Sequence, residues 1–120
     1  MDEIHTKRAL RDHAGLEAEF LQEIAEALGN AGERLDRAIA QAKDAADRIE
    51  GLREMLACAP GQAERDGIRV ALREEVVRYS GLREKAMEQY RWFIIHREAV
   101  GLRNHKLVAE HYRIPPAMKL

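Results

Sequence analysis

A chain of 120 residues with 20 Lys/Arg against 21 Asp/Glu and a formal charge of −1 is sized for one domain and has no global drive toward nucleic acid or an anionic membrane. A single cysteine, Cys58, excludes an internal disulfide framework and a cysteine-based zinc cluster, and one serine (Ser80) and one threonine (Thr6) leave hydroxyl nucleophiles and phosphorylation switches almost nowhere to sit. No run of 18 apolar residues occurs, and Met1-Asp2-Glu3-Ile4-His5 has no signal-peptide apolar core, so a cytoplasmic protein with no membrane partner is expected.

High charge with few aromatic residues favours long helices. Residues 1–15 are mixed in character. Leu10 and Ala14, and with them Ile4, extend an apolar seam backward from Leu21, so helix is expected from about Lys7, frayed at its start.

From Leu21 to Ala59 the sequence reads in sevens. Leu21, Leu28, Leu35, Ala42, Ile49 and Leu56 take position a; Ile24, Ala31, Ala38, Ala45, Leu52 and Ala59 take position d. No a or d position in this run is polar, which is the pattern of a long helix whose seam must be covered by other helices. Three consecutive alanines at d allow close approach. The e positions Ala25, Gly32, Ile39 and Ala46 widen the stripe to three positions in seven, which suits a bundle better than a two-stranded coil. The f positions Glu26, Glu33, Asp47 and Glu54 form an acidic face opposite. At about 1.5 Å per residue this stretch is roughly 60 Å long. Gly29 and Gly32 each cost about 1 kcal/mol relative to alanine, but the heptad phase runs through them, so one helix is expected, with a break at Gly29 as the rival reading.

Ala59-Pro60-Gly61 ends this arm and permits a reversal. The second arm is expected from about Gln62 to about His111. Its apolar positions are Ile68, Leu72, Val76, Tyr79, Leu82, Ala86, Tyr90, Phe93 and Val100, at intervals of three or four as far as Phe93. Gly101 with Asn104 marks a kink or break before a last short helix. Ile114-Pro115-Pro116 then stops any helix and leaves a short non-helical tail over 112–120.

The expected fold is all-α: a long, coiled-coil-like antiparallel two-helix hairpin over residues 1–120, pairing into a four-helix bundle. With the reversal between Pro60 and Gly61, residue i faces roughly residue 121 − i. Tyr90 then meets Ala31, Tyr79 meets Ala42, Val76 meets Ala45 and Ala86 meets Leu35, so large faces small at each level. Charge agrees. Residues 1–60 hold 8 Lys/Arg against 13 Asp/Glu, net −5; residues 61–120 hold 12 against 8, net +4.

Function is carried less plainly. Four of the six aromatic residues and three of the five histidines lie between Tyr90 and Tyr112. Trp92-Phe93-Ile94-Ile95 is apolar on every side of a helix, so it must be covered on more than one side: by a second copy in a homodimer, by the chain's own N-terminal residues, or by a different protein. Trp92, Phe93, Ile94, Ile95, Arg97 and Leu102 are the expected interface residues. Arg97, Glu98, Arg103 and Asn104 read as a register-setting polar network or, as the alternative, a ligand pocket. His96 reads as a hydrogen-bonded interface residue.

The expected role is a non-enzymatic interaction, scaffold or assembly module. One alternative is nucleic-acid binding through the basic second arm, with Arg91, Arg97 and Arg103 on phosphates. There, Arg91, Arg97, Arg103, Lys106, Arg113 and Lys119 stand against Glu98 and Glu110, a local +4. Residues 106–115 have the cadence of the first helix of a helix-turn-helix, with no recognition helix to follow. The other alternative is a metal site at the open end of the hairpin, where His5 and His13 fall near His105 and His111, with Asp12, Glu17, Glu98 and Glu110 as carboxylates. No Glu-x-x-His pair and no two histidines at i, i+4 accompany them, so no metal ligands or cofactor are assigned. There is no Gly-rich phosphate loop and no nucleophile motif, and Cys58 lies far from every histidine, so no catalytic residue is assigned either.

Overall fold

The computed structural model describes residues 2–118, with side chains from residue 6 onward. The side chains of Ile4 and His5, and all of Lys119, lie outside the described residues. The chain forms α1 (Asp2–Cys58), α2 (Gln62–Ala99) and α3 (Lys106–His111), with no strand among the described residues. The molecule is a rod of 92 × 21 × 16 Å. Its radius of gyration, 23.9 Å, compares with about 14 Å for a globule of this length.

α1 and α2 pack side by side as an antiparallel hairpin. Helix runs unbroken through Gly29 and Gly32, and it starts at Asp2 rather than near Lys7. The a positions Leu35, Ala42 and Ile49 are fully buried, as are the d position Ala45 and, on α2, Tyr79 and Ala86. Two clusters make up the core. Ala42, Ala45 and Ile49 share one with Val76 and Tyr79. Ala31, Leu35 and Ile39 share the other with Ala86 and Phe93, and Tyr90 packs against it. These are the large-on-small levels that the hairpin register requires. Burying each large side chain contributes about 1.5–3 kcal/mol.

One polar contact fixes the same register. Arg48 of α1 donates to Glu75 of α2 at 2.8 Å, and Arg78 reaches the same carboxylate oxygen at 3.0 Å. The bond from Arg48 is the largest influence and holds the Glu75 carboxyl below its ordinary value; burial opposes it, and the charge of Arg48 with the bond and charge of Arg78 add to the lowering.

The turn at Ala59–Gly61 is short. Arg65 comes back from the first turn of α2 to donate to the Ala59 carbonyl at 3.0 Å, which supplies a donor to a carbonyl at the end of α1. At the other end, α2 stops at Ala99 by a motif that needs glycine. Gly101 has φ of +91°. The Leu102 amide bonds the Arg97 carbonyl at 2.9 Å and the Gly101 amide bonds that of Glu98 at 3.0 Å, the paired bonds of a Schellman stop. The second arm is therefore a 38-residue helix, a turn and the six-residue α3, with the break at Gly101.

After this stop the chain folds back along the hairpin. Arg97 Nη2 donates to the Asn104 carbonyl at 3.1 Å, and Asn104 Oδ1 accepts the Lys106 amide at 3.1 Å. α3 then drops Val108 into the core beside Phe93. Tyr112 sets its ring edge-on to Phe93, with centroids 5.2 Å apart, and its hydroxyl lies 3.0 Å from where a Cβ on Gly32 would stand. Ile114 packs on the same cluster, and Met118 packs on the next, that of Ala42, Ala45, Ile49, Val76 and Tyr79. The extended Ile114-Pro115-Pro116 run makes no hydrogen bonds of its own, so its carbonyls are free to accept. Arg83 Nε donates to Pro115 at 2.9 Å, and the Tyr79 hydroxyl donates to Pro116. The third apolar position of the α1 stripe, Gly32 and Ile39, faces this return.

Candidate interaction surface

The arms of the hairpin are unequal. By the register above, the end of α2 at Ala99 lies across from about residue 22, so roughly 20 residues of α1, about 30 Å of helix, project past it. Apolar side chains continue along α1 past the end of α2. Leu10, Leu16, Phe20 and Leu21 lie on the projecting stretch, each more than 60% exposed. An isolated helix of this length has little stability of its own in water.

Where the projecting helix meets the end of α2 there is an apolar notch of about 700 Å³. Phe20, Leu21, Ile24, Ala25 and Leu28 of α1 form one wall, and Ala99, Val100 and Leu102 form the other. The Schellman stop positions the second wall, because it turns Val100 and Leu102 out of the helix just as α2 ends. A smaller groove of about 360 Å³ lies farther out along α1, between His13, Leu16, Glu17 and Phe20.

The six residues expected at the interface divide. Phe93 is buried and Ile94 is half-buried, both packed in the core that α3 and the tail complete. Part of the all-round apolar run is thus covered by the chain's own C-terminal return, an occupant that the sequence reading did not consider. Trp92 and Ile95 stay about half exposed on the outer face of α2. Trp92 lies beside the His96 ring, centroids 6.4 Å apart. Arg97 is half-buried in the turn, and Leu102 lines the notch.

The polar network beside the run holds the turn. Arg97 Nε donates to His105 Nδ1 at 3.3 Å, and His105 Nε2 lies 3.1 Å from Glu98 Oε1. With Nδ1 accepting, the proton sits on Nε2, which donates to the carboxylate. Arg103 has no part in these bonds, and of Asn104 only the carbonyl and the side-chain oxygen act, as described above.

The histidines do not converge. His105 and His111 fold back with α3 while His13 stays on the projecting stretch of α1. Among the described residues no group of three His, Cys, Asp or Glu side chains is placed to hold a metal ion. Several basic side chains are committed: Arg48 and Arg78 to Glu75, Arg53 to Glu50, Arg69 to Asp66, Arg65, Arg83 and Arg113 to carbonyls, Arg97 to the turn. Arg91 and Arg103 are exposed. Cys58 is exposed at the turn, at the far end of the rod from the notch.

The sequence reading takes Leu21 and Ile24 as covered seam positions and Val100 as an apolar position of the second arm, and it does not single out Phe20. The signal was present in the combination of two observations, a seam carried back to Leu10 and a helix stop at Gly101. Together they leave apolar positions on α1 with no second arm opposite. No helix among the described residues is long and apolar enough to cross a membrane. No protein-family model, curated protein or solved structure matches the chain.

Proposed function

We propose that this protein is a non-enzymatic interaction module of the cytoplasm, a helical hairpin that presents the open end of its rod to other polypeptide chains, a second copy of itself among them. The observation that carries this reading is the uncovered apolar surface of projecting α1: Leu10 and Leu21 on the seam and Leu16 and Phe20 beside it, each more than 60% exposed, with Phe20 and Leu21 lining the notch together with Val100 and Leu102. Large exposed apolar residues in a contiguous stretch are what interaction sites show and what isolated soluble surfaces avoid. A notch walled by two elements also suits a helix laid into it by its apolar face. Trp92 and Ile95, on the outer face of α2, supply a second surface of the kind that anchors protein contacts.

Sedimentation equilibrium of the wild type and of Phe20→Glu/Leu21→Glu tests the reading. The wild type is expected to associate above its 13.7 kDa chain mass. The variant, which keeps the whole paired core, is expected to stay at that mass. Wild-type association that survives both charges would remove the open end from the account.

A further inference from the structure

The projecting stretch of α1 has a charge order of its own. Asp2 and Glu3 open it, and between residues 6 and 15, the part that the pairing below sets against 16–25, it carries Lys7, Arg8 and Arg11 against Asp12. Between 16 and 26 it carries Glu17, Glu19, Glu23 and Glu26 and no basic residue. The first block is basic and the second acidic, on one helix whose apolar face is uncovered. We infer that the occupant of this face is the same stretch of a second copy, paired antiparallel, with the Leu10 side chain of each copy seated in the notch of the other. This rests on the module reading above and goes beyond it by naming the partner and the geometry.

Three observations select this arrangement. The first is block complementarity. Antiparallel pairing sets each basic block against the other copy's acidic block, and does so twice by symmetry. Parallel pairing sets acidic on acidic and basic on basic, which disfavours it.

The second is the seam. Leu10, Glu17 and Ile24 take position d, and Lys7, Ala14, Leu21 and Leu28 take position a. In an antiparallel pair centred between residues 15 and 16, the layers are Leu10 with Leu21, Ala14 with Glu17, and Lys7 with Ile24. The one carboxylate on the seam then meets an alanine, with His13 and Arg11 of the other copy close by. In a parallel pair Glu17 meets its own copy. Lys7 at the rim of the notch lays its methylenes on Ile24 and carries its ammonium out toward Glu23 and Glu26.

The third is room. At the level of Leu21 and Ile24 the seam is already flanked by the end of α2, and the notch of about 700 Å³ there is open and apolar. A partner helix approaching from the open end delivers Leu10 to that position. The pairing is isologous, so it closes at two copies and makes a longer rod, with the two turns at Ala59–Gly61 at its far ends.

Cysteine pairing tests this in full-length protein carrying Cys58→Ser. Lys7→Cys and Ile24→Cys are made in separate chains and oxidised alone and mixed. The two positions are about 25 Å apart along one helix, well beyond the roughly 7 Å that a disulfide spans between Cα atoms. A mixed disulfide from the two chains together, with neither forming one alone, is the expected result. Homodisulfides from each variant alone mean a parallel pair and overturn the inference. A dimer in solution that gives no cross-link at either position, but does so through Trp92→Cys, overturns it while leaving the module reading in place. A wild type that sediments at one chain mass overturns it as well, and the module reading then stands only if Phe20→Glu/Leu21→Glu releases another polypeptide. As a second arm, Arg8→Glu/Arg11→Glu is expected to weaken self-association at least tenfold in low salt. Mixing it with Glu19→Lys/Glu23→Lys is expected to restore it. Unchanged association in both variants contradicts the charge argument.

Discussion

The hydroxyl of Tyr79, at the centre of α2, donates to the carbonyl of Pro116, 37 residues later in the chain. The ring itself is fully buried against Ala42, Ala45 and Ile49. One side chain thus packs the hairpin with its ring and fastens the C-terminal return with its tip. Arg83, one turn on, holds the next carbonyl back, that of Pro115.

Tyr79→Phe keeps the ring and removes the fastening. The expected cost is about 1 kcal/mol, the net worth of one hydrogen bond, read as a lower urea midpoint with an unchanged slope. Alkaline pH gives a second readout. Burial raises the Tyr79 phenol above its ordinary value of 10.0, with Arg83 opposing. A raised folded-state value means that the stabilisation is complete below the unfolded-state value and is lost as pH rises through the folded one. Wild-type stability is therefore expected to fall above about pH 10 more steeply than that of Tyr79→Phe. Parallel curves would detach the hydroxyl from the account.

Gly29 and Gly32 occupy the same helix three residues apart, and the structure separates them. A Cβ at Gly29 meets nothing within 4 Å, whereas one at Gly32 stands 3.0 Å from the Tyr112 hydroxyl and 3.6 Å from Phe93 Cε2. Alanine is expected to stabilise at Gly29 by about 0.5–1 kcal/mol through helix propensity. At Gly32 the same gain is offset by displacement of Tyr112, and it returns in the Tyr112→Phe background. A double-mutant cycle in thermal or urea melts measures the coupling. Equal gains at both glycines would place the return elsewhere than over Gly32.

At the acid side, Glu75 is the group to follow. Arg48 and Arg78 lower its carboxyl from the ordinary 4.5. A depressed folded-state value means stabilisation that is present above the unfolded-state value and lost as pH falls through the folded one. Glu75→Gln is expected to cost about 0.5–1 kcal/mol at neutral pH, because Arg48 is half exposed and solvent screens the pair. The difference from wild type is expected to vanish in a titration of stability well below pH 4. A constant difference over the whole range would deny the ion pair any part in it.

The stop at Gly101 is strained for any other residue, since φ there is +91°. Gly101→Ala is expected to destabilise by about 1 kcal/mol or more, and to loosen α3 before the hairpin melts. Near-ultraviolet circular dichroism of Tyr112 and Phe93 reports that loosening. A single transition at the wild-type midpoint would argue that the return does not depend on this turn.

The hairpin was legible because its instructions are local and periodic. Leu35, Ala42 and Ile49 recur at sevens, Pro60-Gly61 breaks them once, and the register from that single break brings Tyr79 to Ala42 and places Arg48 near Glu75. The return was not legible because its fastening uses backbone carbonyls of Pro115 and Pro116, and the same proline pair reads only as a helix stop. The stripe at Gly32 and Ile39 called for a neighbour without saying which, and a second hairpin and the chain's own tail satisfy it alike. The projecting seam was hidden for a related reason. Leu10, Ala14 and Leu21 keep the heptad spacing, with Glu17 the one polar position between them, and only the end of α2 at Ala99 shows that nothing stands opposite.

Hydrogen exchange along α1 is the most direct test that the open end is where association occurs. Amides between residues 8 and 26, compared with those between 35 and 49, are to be followed as protein concentration rises from well below to well above the association range. The first group is expected to exchange fast when dilute and to gain at least tenfold protection when concentrated, while the second stays slow throughout. Exchange between residues 8 and 26 that is equally fast at both concentrations, in protein that has associated, would contradict it.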